Sequence, residues 1–194
     1  MSREEVRAAQ RERLLAAVAG AVAEQGYVNT SVAHIIARAG VSRETFYQQF
    51  SSKLDAFTQA FEAATVLLFG TPDGQTTPPI GTPLEQFDAA VTAYLDTLAE
   101  HPTYARMFLV EVYAAGPAAL ARRGELQSDI VDGLATMLDV SGDRGRFGCE
   151  VLVAAIGSLV TGPLVTGDLV ALRALREPVV DLVRRALAAD IDGP

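Results

Sequence analysis

The 194-residue chain has one cysteine, Cys149, and two histidines, His34 and His101. A single thiol cannot close an intramolecular disulfide, which suits a reducing compartment. One Cys and two His are also too few for an ordinary His/Cys zinc site, so no metal is expected. G-x-S-x-G, the P-loop and G-x-G-x-x-G are all missing, and with them the usual nucleophilic and phosphate-cradling motifs. The carboxylates are scattered over solvated faces. These absences point away from an enzyme and call for no cofactor. The N-terminus, MSREEVRAAQRER, lacks the apolar core of a signal peptide. One run, Val151 to Gly167, is uncharged over 17 residues but is interrupted by Gly157, Ser158, Thr161, Gly162 and Pro163. It falls short of the roughly 20 apolar residues of a membrane span, so a buried helix is expected, with no membrane segment and a cytoplasmic location. Strand-like alternation, internal repeats and low-complexity tracts are lacking too. The fold class is therefore all-α, with about nine helices.

What the chain does have is helical punctuation. A first helix spans about Val6 to Gln25, with Leu14, Leu15, Val18 and Val22 inward and Gly26 as its stop. Thr30 and Ser31 are cap candidates for a second, on which Val32, Ile35, Ile36 and Ala39 form the buried stripe. Gly40 then supplies a left-handed terminator. Ser42 caps a third helix, Arg43 to Phe50, whose Phe46 and Phe50 face the second. Arg43, Glu44, Thr45, Tyr47, Gln48 and Gln49 are left on its sides and outer surface, a set chemically suited to base edges and phosphates. Two short helices across a tight turn, the second with that outer face, make a helix-turn-helix.

These residues carry a family resemblance. LLAAVAGAVAEQGY at 14–27, TSV at 30–32, IARAGVS at 36–42, and TFYQQF with SSK from 45 to 53 resemble, in order and spacing, the DNA-binding domain of the TetR family of bacterial transcriptional regulators. The resemblance covers roughly a quarter of the chain. It implies a helix-turn-helix domain over 1–52 and a helical effector-binding and dimerisation domain over 53–194. It further implies that Arg43, Glu44 and Thr45 lie nearest the bases and Tyr47, Gln49 and Lys53 nearer the phosphates, with Thr30, Ser31, Ser42 and Gln48 completing the DNA-binding set. Glu44 departs from the small residue many members carry there; its carboxylate either accepts from a cytosine amine or repels phosphate.

Charge is compatible with this division. The net charge is −8, yet residues 1–55 hold seven basic against six acidic side chains, which leaves −9 on the remaining 139 residues. Screening over roughly 8 Å makes the local balance the relevant one for phosphate. The acidic remainder argues against a second nucleic-acid surface.

The rest reads as helices separated by breakers. Ser52-x-x-Asp55 opens a fourth helix reaching Phe69, and the Pro/Gly-rich stretch from Gly70 to Thr82 is a loop. Thr82-Pro83-Leu84-Glu85 opens a fifth, to Glu100. His101-Pro102 opens a sixth, to about Ala115; a seventh runs from Leu120 or Glu125 to Val140. Two more span about Arg144–Val165 and Asp168–Ala189, where Pro178 either bends the last or costs it a hydrogen bond. Phe61, Phe87, Tyr94, Tyr104, Met107, Phe108 and Met137 are candidates to line an effector cavity or simply to be core. Glu111 shares a face with Tyr104, Met107 and Phe108, so it either pairs with Arg106 or Arg122 or faces a ligand. The penultimate helix is apolar nearly all round. With the last helix it supplies a candidate dimer interface of Val151, Ala155, Leu159, Leu172, Leu175 and Val179. By resemblance these two helices pair across a two-fold axis.

The expected function is a homodimeric repressor that binds a palindromic operator in double-stranded DNA and is released by a small, mostly apolar effector. A helical carrier or sensor without DNA binding is the alternative.

Overall fold

The computed structural model describes residues 3–70 and 81–191. Among them there are ten α-helices and no strands: α1 Arg3–Gln25, α2 Val32–Ala39, α3 Arg43–Gln49, α4 Lys53–Phe69, α5 Pro83–Glu100, α6 Pro102–Leu109, α7 Pro117–Met137, α8 Gly142–Thr166, α9 Leu169–Ala174 and α10 Arg176–Ile191. A 3-10 turn, Glu111–Ala114, follows α6. The expected loop after Gly70 lies outside the described residues over 71–80.

The helix ends obey local chemistry. Ser31, Ser42 and Ser52 each accept the amide three residues on, at 3.2, 3.1 and 3.0 Å. Thr82 and Glu85 form a reciprocal capping box, the carboxylate accepting from the Thr82 amide at 2.8 Å and the hydroxyl from the Glu85 amide at 3.3 Å. Gly40 takes φ 65°, ending α2 in the left-handed conformation that a side chain would resist.

The seventh helix begins at Pro117 and ends at Met137, each end ahead of its expected bound, and two other boundaries differ from the sequence reading. The sixth helix stops at Leu109 and tightens into the 3-10 turn, from which the Glu111 carboxylate accepts the Tyr27 amide of the α1–α2 turn. The last expected helix is two helices, broken at Leu175. Pro178 accounts for the break: its ring would clash with the carbonyl four residues back, at Ala174, where α9 ends. Placed in the first turn of α10, it costs no intrahelical bond.

The helices form two compact units. One contains α1–α4, α6, the 3-10 turn and the first residues of α7; the other contains α5, the rest of α7 and α8–α10. This division differs from the boundary after Ser52 expected from the sequence, since α4 and α6 pack with α1. The core of the first unit holds Leu14, Val18, Val22, Ile35, Phe46, Phe50, Phe57 and Phe61, all essentially inaccessible. Rings continue this core as a column: Tyr27 meets Phe57 edge-on at 4.9 Å, Phe57 lies 6.3 Å from Phe61, and Phe61 stacks on Phe108 at 4.9 Å. In the second unit α5 packs against α9 and α10. Arg176 grips Asp88 through two hydrogen bonds of 2.7 and 2.6 Å, and Arg173 donates to Asp96 at 2.8 Å.

Candidate nucleic-acid interface

The reading helix is fixed from beneath by two phenylalanines. Phe46 and Phe50 lie 5.4 Å apart between centroids and are fully buried, so α3 has one permitted orientation over the core. Arg43, Glu44, Tyr47 and Gln48 then face outward, and Thr45 and Gln49 are half-buried at the sides. Tyr47 stands edge-on to Phe46 at 5.2 Å with 49% of its surface exposed. The Arg43 guanidinium lies 5.8 Å from the Tyr47 ring centroid, a cation–π approach that restrains it over the helix. Gln48 donates to Glu44 at a long 3.4 Å. A contact that weak leaves the Glu44 carboxylate available as an acceptor.

Four residues of the expected DNA-binding set have other employment. Thr30 is buried, its hydroxyl bridging the carbonyls of Gly26 and Ala21 at 2.8 and 3.2 Å, so it closes the α1–α2 turn. Ser31 and Ser42 are the helix caps, and Ser42 also shares a 2.9 Å hydrogen bond with Thr45. The Lys53 ammonium donates to the carbonyls of Tyr27 and Thr30 at 3.0 and 2.9 Å and sits 4.2 Å from the Tyr27 centroid. It anchors α4 to the α1–α2 turn. His34 lies exposed, its Nδ1 accepting from the Ser31 amide at 3.3 Å, so its role is to complete a cap.

Glu111 is held by protein groups. Only 8% exposed, its Oε2 accepts the Tyr27 amide at 2.9 Å while Oε1 lies 3.7 Å from Arg106 Nε. Phe61, Met107 and Phe108 are likewise buried in the core of the first unit, with Tyr104 half-buried beside them in sequence on α6. Phe87, Tyr94 and Met137 belong to the second unit. There Phe87 is buried, and burial raises the Tyr94 phenol well above its ordinary value against a smaller opposing effect of Arg123.

The dimer candidates divide by exposure. Val151 and Leu159 on α8 are 52% and 49% exposed, and Ala155 is half-buried. Leu172 and Val179 are in the core of their own unit, and Leu175 is half-buried. Leu172 and Val179 are thus covered within their own chain. Sequence reasoning missed Phe147 and Val165, which are exposed large apolar side chains on α8, while Leu182 on α10 is likewise exposed. Phe147, Val151, Ala154 and Ser158 recur at the four-three-four spacing of a helical seam, and that spacing was the available signal. α8 is also long and apolar enough to cross a membrane by length and composition alone. Its first turns nevertheless carry Asp143, Arg144, Arg146 and Glu150.

A feature unanticipated from sequence adjoins α3. Val6, Arg7 and Gln10 of α1, with Gln48 and Gln49 of α3, line a cavity of about 330 Å³. Among the described residues no cluster of three or more His, Cys, Asp or Glu side chains is placed to hold a metal ion.

Comparison with known proteins agrees with this geometry. Residues 14–60 match the family described as bacterial regulatory proteins, tetR family. No sequence relative was found among curated proteins. Solved structures resemble the fold across most of the chain. The transcriptional regulator FadR from Bacillus subtilis, solved in complex with stearoyl-CoA, aligns with TM-score 0.71 at 19% identity, covering 88% of this chain and 96% of that one. The fatty acid degradation regulator FadR from Bacillus halodurans gives 0.70 at 19%, covering 89% and 93%. A TetR-like transcriptional regulator from Rhodococcus sp. RHA1 gives 0.69 at 20%, covering 92% and 96%. Residues 14–60 thus match the model of the tetR family of bacterial regulatory proteins, and the chain as a whole resembles these regulators in fold.

Proposed function

We propose that the protein is a cytoplasmic, homodimeric transcriptional repressor that reads a palindromic operator with one α3 per half-site. The observation that carries this reading is the outward set of Arg43, Glu44, Tyr47 and Gln48 on a helix locked by Phe46 and Phe50. Arg is the side chain that pairs bidentately with guanine O6 and N7. Arg43 heads the helix at its N-terminal end, the end that other helix-turn-helix proteins insert toward bases. A two-fold protein supplies two such heads to a two-fold site. The exposed Phe147, Val151, Leu159 and Val165 of α8 support dimerisation, because several large apolar side chains left in water on one helix are normally covered.

The effector is proposed to be small and mostly apolar, with a fatty acyl chain as the first candidate class. The support is the fold likeness to a FadR solved with stearoyl-CoA. Thermodynamic linkage requires that operator DNA weaken effector binding by the same factor by which effector weakens DNA binding, with a coupling of about 1–3 kcal/mol typical. Fluorescence anisotropy on duplexes from upstream of the gene tests the DNA reading: a preferred site is expected, and the absence of any preference at every salt concentration rejects it. Calorimetry with long-chain acyl-CoA, with and without operator, tests the switch. Equal affinities in the two titrations would remove that ligand from the mechanism.

A further inference from the structure

The cavity between α1 and α3 is not made by the helix-turn-helix alone. Its far wall is the first two turns of α1, where Val6, Arg7 and Gln10 stand opposite Gln48 and Gln49. Arg7, Gln10 and Leu14 are spaced three and four apart and so share a face of α1. Leu14 is completely buried, which shows that this face is turned toward the protein. Glu5 and Glu12 fall on roughly the opposite face, about 140–160° around from Gln10 at roughly 100° per residue. Those two acids point away from the α3 side, whereas Glu4, three residues before Arg7, lies on the same side as the guanidinium.

The lining is one guanidinium and three carboxamides, with Val6 the only apolar member. Each carboxamide has two N–H donors, and a guanidinium has five. One Gln48 donor is directed at Glu44, a turn back along α3. The remaining donors suit an anion with several oxygens, and the cavity is continuous with the surface that α3 presents to DNA.

We propose that this cavity is a seat for a DNA backbone phosphate flanking the bases read by α3, with Arg7 supplying the charge and Gln10 and Gln49 the amide donors. The proposal rests on the DNA-reading function above and extends its footprint to α1. Such a contact positions the protein and raises affinity without reading sequence. Neutralising one phosphate contributes about −0.9 to the slope of log affinity against log salt.

The test is fluorescence anisotropy of the full chain over a salt series. The probes are a duplex from upstream of the gene and an unrelated duplex of equal length. Arg7→Ala is expected to weaken both duplexes by the same factor and to flatten the slope by about one per bound protomer. Arg7→Lys keeps a cation and should restore the slope, which separates loss of charge from loss of fold. Arg144→Ala removes an exposed cation from the other unit and should leave the slope unchanged. A wild-type slope for Arg7→Ala overturns the seat while leaving the DNA reading intact. A loss confined to the preferred duplex also overturns it, as the signature of a base contact. Flattening by Arg144→Ala equal to that by Arg7→Ala would reduce the effect to bulk charge and overturn the seat. Wild-type protein that binds neither duplex would remove both readings together.

Discussion

A Glu111→Ala substitution removes the acceptor of the Tyr27 amide and leaves Arg106 beside an empty space. A part-buried donor left without its partner costs about 1–3 kcal/mol, so the expected loss is of that order in urea unfolding. Glu111→Gln keeps an acceptor for Tyr27 while dropping the ion pair, and should recover most of it. If both variants were as stable as wild type, the carboxylate would not be holding the α1–α2 turn. Asp55 offers a pH-dependent counterpart. Acceptance from the Ser51 amide, then from Gln59, holds its carboxyl below the usual 3.8 despite some burial. A lowered folded value means the contribution is complete above the ordinary Asp value and is lost as pH falls through the lowered one. Because the network is near the surface, about 1 kcal/mol is an upper figure. Asp55→Asn should therefore lower the melting temperature at neutral pH and converge with wild type in strong acid. Cys149 lies at the opposite extreme of reactivity: buried, with burial raising its thiol pKa, it has little thiolate to offer. Modification by a thiol reagent should be slow in the native protein and fast in denaturant.

At the scale of single elements, α3 separates reading from support. Arg43→Ala should cost about 1–3 kcal/mol on the preferred site and relax selectivity at one base position, with no change in melting temperature. Phe46→Ala should instead remove about 3–5 kcal/mol of stability, and DNA binding with it, since the ring is completely buried. Lys53→Ala belongs to the second kind: its ammonium is bonded to two carbonyls of the α1–α2 turn, so lost stability is expected along with weaker binding. Anisotropy beside thermal melts distinguishes the cases. Wild-type melting with a uniform loss of DNA affinity for Lys53→Ala would return that residue to the phosphate-contact set.

For the molecule as a whole, the exposed and buried dimer candidates give opposite expectations. Val151→Arg places a charge in the exposed seam of α8 and should yield a folded monomer by sedimentation with wild-type helicity. Leu172→Arg forces an unpaired cation into a site with no exposure, which costs several kcal/mol and should unfold the second unit. A dimeric Val151→Arg protein at tens of micromolar would move the interface elsewhere.

Short-range chemistry was legible along the chain before any packing was known. Ser42 three residues before the Thr45 amide, Gly40 at φ 65°, and the Thr82–Glu85 box are local arrangements, and residue spacing alone encodes them. The all-α class and the outward face of α3 follow likewise, because Phe46 and Phe50 four apart fix which side of the helix is buried. Roles that depend on a partner distant in sequence emerged only from the packed helices. Glu111 is 84 residues from Tyr27, and Lys53 is 26 from the same turn; no periodicity along one helix carries that information. Leu172 on α9 and the α8 pair Val151 and Leu159 met the same limit. An apolar stripe states that a face is covered, not whether its own chain or a second copy covers it. It took the packing of α9 between its neighbouring helices to bury Leu172, while Val151 and Leu159 stayed exposed on α8.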